Sequence, residues 1–171
     1  NRFNNIKLTE NARSIIDERN YEIKKIDLSN TQIENNKILL IFENNLSFEN
    51  SDFKENKFKK IILISNNNKN REIKLSEKVI DFKHQLLNDQ KISLKKNAFE
   101  CEILNVEEIK NIDENYYCLY PNVGENLDYI NTKNLKVEYL YRKLDQLSWQ
   151  YCNKGFFNFK NYIPKIITTF N

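Results

Sequence analysis

Six polar side chains with the chemistry to bind a small ligand stand directly after apolar stretches of this chain. Ligands of open α/β sheets bind beyond the carboxyl ends of parallel strands, so these positions predict a site for a sugar, a base edge or a nucleotide. The alternative is that they are ordinary loop residues in a chain that contains 29 Asn. The predicted ligand-binding residues are Glu43, Asn44, Asn45, Ser65, Asn66 and Asn105.

A second candidate site is the sequence Val79-Ile80-Asp81-Phe82-Lys83, which resembles the acid-x-Lys half of the PD-(D/E)xK nuclease site. In such sites the acids hold a divalent metal ion and the lysine positions the attacking water. Asp52, or alternatively Glu43, would supply the distant second acid. The site requires a strand, on which Asp81 and Lys83 share one face, whereas the neighbouring apolar residues have helical spacing. That spacing favours a solvated helix face over a nuclease.

Several common kinds of site are excluded by residues that the chain lacks. Glycine occurs only at positions 124 and 155, so no glycine-rich phosphate loop can follow any of the first three predicted strands. The three cysteines, Cys101, Cys118 and Cys152, do not have the spacing of a zinc site. A Cys–His dyad would need His84, the single histidine, and its charged surroundings favour a solvated side chain. No metal site is predicted, and no cofactor is indicated.

The C-terminal segment is unusually rich in aromatic residues. A protein partner, or the remainder of a longer chain, is predicted to cover Phe156, Phe157, Phe159 and Tyr162. Packing of these rings inside this domain is one alternative. Stacking on nucleic-acid bases, with Lys154, Lys160 and Lys165 near the phosphates, is the other.

Hydrophobic patterning predicts the elements that must position these groups. Continuous apolar runs predict buried strands over 37–42 and 58–65, and shorter runs predict strands over 99–104 and 116–120. Helical spacing predicts a long helix over 76–96, with Ser76 as N-cap and Asn97 just beyond its end. A second long helix is predicted from Thr132 or Lys133 to about Cys152, ended by Gly155. A short helix over 10–19 and a bulged edge strand over 21–28 complete the prediction.

These elements predict one α/β domain over 1–171, Rossmann-like, with a small, mainly parallel sheet flanked by helices. The core is expected over about 21–120, and a helical, aromatic-rich C-terminal extension over about 132–171. The run 37–42 is too apolar to alternate between buried and exposed residues, as expected for a strand covered on both faces, which places it in the middle of the sheet.

Composition narrows the class of protein. The 171 residues carry a net charge of +3, which permits nucleic-acid binding without indicating it. Three scattered cysteines favour reduced thiols and a cytoplasmic location, and no apolar run is long enough for a membrane span. The many Asn, Lys and Ile are typical of an AT-rich genome. The absence of Met suggests a piece of a longer protein.

Two resemblances point in different directions. Phe42-Glu-Asn-Asn-Leu46, together with Phe82, Leu87, Asp89 and Leu94, resembles the antenna α/β domain of photolyases and cryptochromes over about 37–104. Arg19-Asn-Tyr21, Leu119-Tyr-Pro121 and the stretch 145–155 resemble the fifth subunit of eukaryotic and viral RNA polymerases. The Asp-Pro of that family reads Asp145-Gln146 here. Neither resemblance assigns a site residue.

The function predicted from the sequence is that of a non-catalytic binding or assembly module within a larger protein or complex. The first alternative is an enzyme domain that uses a nucleotide or sugar nucleotide, glycosyltransferase-like or photolyase-like. The second is the metal-dependent nuclease.

Overall fold

The computed structural model describes residues 33–69, 71, 73–109 and 116–170. It contains five parallel strands: β1 (Ile38–Phe42), β2 (Lys60–Ser65), β3 (Cys101–Asn105), β4 (Tyr116–Leu119) and β5 (Val137–Leu140). Five α-helices accompany them: α1 (Glu77–Lys96), α2 (Glu125–Thr132), α3 (Lys143–Trp149), α4 (Phe156–Lys160) and α5 (Ile163–Phe170). Short 3-10 helices cover Phe48–Asn50 and Val106–Glu108.

The sheet has the strand order β3-β2-β1-β4-β5, and every neighbouring pair is parallel. Leu40 of β1 pairs with Ile62 of β2 on one side and with Cys118 of β4 on the other. The chain moves from β1 outward to β2 and β3, then crosses back to β4 on the opposite side of β1. This confirms the predicted Rossmann-like α/β class and the central position predicted for the strand over 37–42.

The sheet is buried on both faces, which explains the continuous apolar runs of its central strands. All five residues of β1 are buried. On one face, alternate strand residues pack with α2, and the buried side chains there include Leu40, Phe42, Ile62, Cys118 and Ile130. On the other face they pack with α1, and the buried side chains include Leu39, Ile41, Leu63, Leu87 and Leu94. Each fully buried Leu or Ile contributes roughly 1.5–3 kcal/mol of hydrophobic stabilisation.

Helix α1 agrees closely with its prediction. Ser76 is the N-cap residue, although its side chain makes no capping hydrogen bond, and Asn97 is the C-cap. Leu87, Gln90 and Leu94 are the buried positions, spaced three and four residues apart on one face.

The predicted long helix from Thr132 or Lys133 to Cys152 is wrong. The structure places β5 and then the short α3 in this stretch, and it places α2 before it. Leu140 belongs to the sheet, where it pairs with Leu119, so its spacing from Leu144 and Leu147 is not that of one helix. Asn134, at φ 50, breaks the helical path after α2. The sheet therefore extends past the predicted core limit of residue 120.

Gly155 also has a different role from the one predicted. With φ 76, it is the N-cap of α4 and not the end of a long helix. The predicted helix over 10–19 and strand over 21–28 lie outside the described residues. Among the helices that are described, none has the length and apolar character to cross a membrane.

Candidate functional site

The carboxyl edge of the sheet carries two cavities, one at the point where the strand order reverses and one beside the ends of β2 and β3. The first, the switch-point cavity, has a volume of about 460 Å³ and lies between α1 and the turn after β4. It is lined by Glu43, Asn44, Val79, Phe82, Lys83, Leu86, Pro121, Val123, Glu125 and Asn126. The second, the α2 cavity, has a volume of about 520 Å³. It is lined by Asn66, Asn67, Arg71, Val106, Glu125, Asp128, Tyr129, Thr132 and Lys133.

Glu43 is the first residue after β1, and its side chain lies at the floor of the switch-point cavity. The side chain is only 7% exposed. Its Oε1 atom accepts from Lys83 Nζ at 2.8 Å and from Asn66 Nδ2 at 3.4 Å. Its Oε2 atom is buried and has no hydrogen-bond partner among the described residues. Since buried carboxylate oxygens are normally hydrogen-bonded, this oxygen lacks the partner that such atoms usually have.

Lys83 links Glu43 to a second acid. Its Nζ atom lies 3.6 Å from Glu125 Oε1, and Glu125 also accepts from Arg71 Nη1 at 2.7 Å. The four charges thus form a chain of ion pairs from the surface to the buried end of β1. Within the switch-point cavity two carboxylates face one ammonium group, so the cavity favours a neutral or cationic donor over an anion.

Asparagine side chains hold the strand ends in place around these charges. Asn66 donates to Asn126, and Asn126 donates to Asn44 Oδ1 at 3.3 Å. Asn44 in turn donates to the carbonyl oxygen of Pro121 at 2.7 Å. This network joins the residues after β1 and β2 to α2 and to the turn after β4, and it fixes the wall between the two cavities.

The opposite wall of the switch-point cavity is apolar. Val79, Phe82 and Leu86 project from the N-terminal half of α1 and are 40%, 59% and 36% exposed. Val123 faces the same cavity from the turn after β4 and is 87% exposed. These side chains are not used by the core, and they form a surface on which a flat ring could pack.

Of the six predicted ligand-binding residues, Glu43 and Asn44 line the switch-point cavity and Asn66 lines the α2 cavity. The other three make structural contacts. Asn45 donates to the Tyr120 carbonyl at 2.9 Å, and Asn105 caps the 3-10 helix Val106–Glu108. Ser65 Oγ lies 3.4 Å from Nε2 of the exposed His84. A ligand-binding role for these residues stays a prediction.

The structure does not assemble the nuclease arrangement from Asp52, Asp81 and Lys83. Residues 77–96 are helical, so Asp81 and Lys83 point in different directions. Asp81 is exposed, whereas Lys83 turns toward Glu43. Asp52 accepts from the backbone N–H of Lys143 at 2.6 Å, at the start of α3. The nuclease site requires a strand at Asp81 and Lys83. The chain forms a helix here instead, because helical spacing brings Leu87 and Leu94 together on the buried face.

Two of the three cysteines are buried thiols. Cys118 is fully buried, and burial raises the pKa of its thiol. Burial also raises the pKa of Cys101, so both thiols stay protonated near neutral pH. Cys152 is exposed. Among the described residues, no group of three or more His, Cys, Asp or Glu side chains could hold a metal ion.

The predicted partner surface lies on α4 and just after it. Phe156 is 65% exposed, Phe157 is 84% exposed and Tyr162 is 36% exposed, whereas Phe159 is half-buried. Tyr162 stacks on Tyr151 with a ring-centroid distance of 4.2 Å. A protein partner for this surface stays a prediction.

Sequence reasoning missed Glu125, Asn126 and Arg71. The first two begin α2, after a turn that follows β4 and in which Gly124 has φ 121. The same Glu-Asn pair stands at 43–44, and this repetition was a usable signal. Arg71 lies in a polar loop with no distinguishing pattern, and only the fold brings it to Glu125. Comparison of the chain with protein-family models, with curated proteins and with solved structures found no match in any of the three.

Proposed function

We propose that this chain is a non-catalytic binding module that holds a small organic molecule in the switch-point cavity. The observation that carries this proposal is the buried Oε2 atom of Glu43, which has no partner among the described residues. An isolated buried acceptor costs about 1–3 kcal/mol, more when it is charged. A ligand that donates a hydrogen bond to this oxygen would remove that cost.

The surroundings of Glu43 define the class of ligand. The donor must be neutral or cationic, because Glu43 and Glu125 would repel an anion and Lys83 already pairs with both. The apolar wall of Val79, Phe82 and Leu86 suits a flat ring. A nucleoside combines these properties, since it has a planar base and several amino or hydroxyl donors.

Titration with nucleosides tests this proposal. Adenosine, guanosine, cytidine and uridine would each be titrated into the chain by calorimetry. We expect at least one to bind, and we expect Glu43→Gln to weaken that binding about tenfold to a hundredfold, the value of a hydrogen bond to a charged group. Lys83 and Asn66 both donate to Oε1, so the glutamine carbonyl would face them and its NH₂ group would point at the ligand's donor.

Glu102→Gln is the matched control. Glu102 also pairs with a lysine, Lys60, at 2.9 Å, but it lies on β3 and lines neither cavity. Its substitution should leave the affinity unchanged. Failure of all four nucleosides to bind, or equal binding by Glu43→Gln, would overturn the proposal. Conversion of the bound nucleoside to a product would favour an enzyme instead.

The role of the apolar wall can be tested with two comparable substitutions on α1. Phe82 and Ile92 are 59% and 54% exposed on the same helix, but only Phe82 lines the cavity. We expect Phe82→Ser to weaken nucleoside binding and Ile92→Ser to have no effect. Both variants should keep their thermal stability, because neither side chain is buried.

A further inference from the structure

The α2 cavity adjoins the switch-point cavity and has a different chemical character. Glu125 lines both cavities, and the hydrogen-bonded pair Asn66 and Asn126 contributes one side chain to each. The wall between them is therefore made of polar side chains and not of packed core. Glu125 is thus a side chain that one ligand occupying both cavities would contact.

The charges in the α2 cavity are balanced. Arg71 and Lys133 stand against Glu125 and Asp128, so the lining has two cationic and two anionic side chains. Arg71 is already engaged by Glu125, at 2.7 Å. A phosphate group entering here would meet two carboxylates, and the arginine most suited to bind it is neutralised. The cavity therefore favours an uncharged group.

The polar side chains in the α2 cavity are those that recognise hydroxyl groups. Asp128 offers a carboxylate and Thr132 offers a hydroxyl, whereas the NH₂ groups of Asn66 and Asn67 already donate to Asn126 and Asn105. Tyr129 donates its own hydroxyl to the carbonyl oxygen of Val106, so it presents its ring to the cavity. Several acceptors and donors beside one ring face are suited to a molecule with many hydroxyls and one apolar side, which is the chemistry of a sugar.

We propose that the α2 cavity is a second subsite, which binds the sugar of the same ligand whose base lies against Glu43 and Phe82. This inference rests on the proposed function and extends it, because it assigns the two parts of a nucleoside to two neighbouring cavities. The polar pair Asn66 and Asn126 and the shared Glu125 lie where the base and the sugar are joined.

The test compares the nucleoside that binds most tightly with its free base. We expect the nucleoside to bind more tightly than the base. Asp128→Asn and Thr132→Val should each weaken nucleoside binding about threefold to tenfold, the value of one hydrogen bond, and should leave binding of the base unchanged. Glu43→Gln should weaken both. Asp89→Asn is the control, since Asp89 is an exposed acid of α1 that lines neither cavity.

The outcomes separate the two proposals. If base and nucleoside bind equally, or if the α2-cavity variants weaken both alike or neither, the second subsite is wrong while the Glu43 site stands. If neither compound binds, the proposed function itself fails. Far-UV circular dichroism would show that the exposed substitutions Asp128→Asn and Thr132→Val leave the fold intact.

Discussion

Glu43 illustrates how the surroundings of one residue decide its chemistry. Glu102, on the edge strand β3, is also a glutamate that pairs with a lysine, Lys60, but its side chain is partly exposed to solvent. Glu43 is buried and paired through one oxygen, which leaves the other without a partner among the described residues. The burial of the Glu43 side chain follows from its position directly after the central strand β1, where backbone and side chains exclude water. The residue type alone could not have distinguished these two acids.

Ala98 provides a prediction at the same scale. It is the residue after the C-cap of α1, with φ 62, and its N–H and that of Phe99 donate to Lys95 and Leu94. This Schellman geometry favours glycine, because Cβ is strained at positive φ. We expect Ala98→Gly to raise the free energy of unfolding by about 0.5–1 kcal/mol in urea titrations.

The β-branched variant Ala98→Val serves as the opposite control and should lower the free energy of unfolding. A lower stability for Ala98→Gly would show that the loss of chain entropy outweighs the relief of strain.

Among the helices and strands, those with long hydrophobic patterns were predicted correctly, whereas the short strand β5 was missed. Helix α1 presents twenty residues of consistent spacing, and β1 and β2 are continuous apolar runs bounded by polar residues. β5 has only four residues, and its last one, Leu140, happens to lie four residues before Leu144. In this stretch the spacing of the apolar residues fits one long helix as well as a short strand followed by a helix. Only the pairing of β5 with β4 decides between the two.

Arg142 fastens α3 to the turn after β1 and gives a prediction at this scale. Its Nη2 atom donates to the carbonyl oxygens of Asn45 and Leu46 at 2.6 and 3.0 Å. We expect Arg142→Ala to lower the free energy of unfolding by about 2–3 kcal/mol, because charge-assisted bonds to partly buried carbonyls are lost. Lys78→Ala, at an exposed position of α1, is the control for urea unfolding. Equal midpoints for the two variants would contradict the assignment.

For the whole molecule, burial of titratable groups predicts sensitivity to alkali. Burial raises the pKa of Cys101, Cys118 and Tyr129, and it raises the pKa of Tyr139 to about 12. The folded chain therefore keeps protons that the unfolded chain releases. Stability should be fully present below pH about 9 and should fall progressively as the pH rises toward 12.

Urea unfolding at a series of pH values would measure this decline. Tyr139→Phe removes one of the titrating groups while keeping the ring that packs against Tyr120, so it should flatten the decline between pH about 10 and 12. A wild-type free energy of unfolding that stays constant over that range would show that these groups are not shielded from water.

The candidate site was predictable only in part. Burial of β1 and the polar residues after it identified Glu43, Asn44 and Asn66 as candidates, and all three line a cavity. The sequence placed Lys83 in the candidate nuclease site with Asp81, and Glu125 was not considered. Their roles depend on the direction in which a helical side chain points and on the crossing of the chain from β3 to β4, neither of which is encoded in a local pattern.

The sequence by itself determined the class of the fold, the central strands and α1, because apolar periodicity is set by burial on two faces of a sheet or one face of a helix. The absence of glycine-rich loops likewise ruled out a phosphate-binding turn after any of the first three predicted strands. Only the tertiary structure decided that Glu43, Lys83 and Glu125 meet. These residues are far apart in the chain, and parallel pairing of β1 with both β2 and β4 brings their elements to one edge of the sheet.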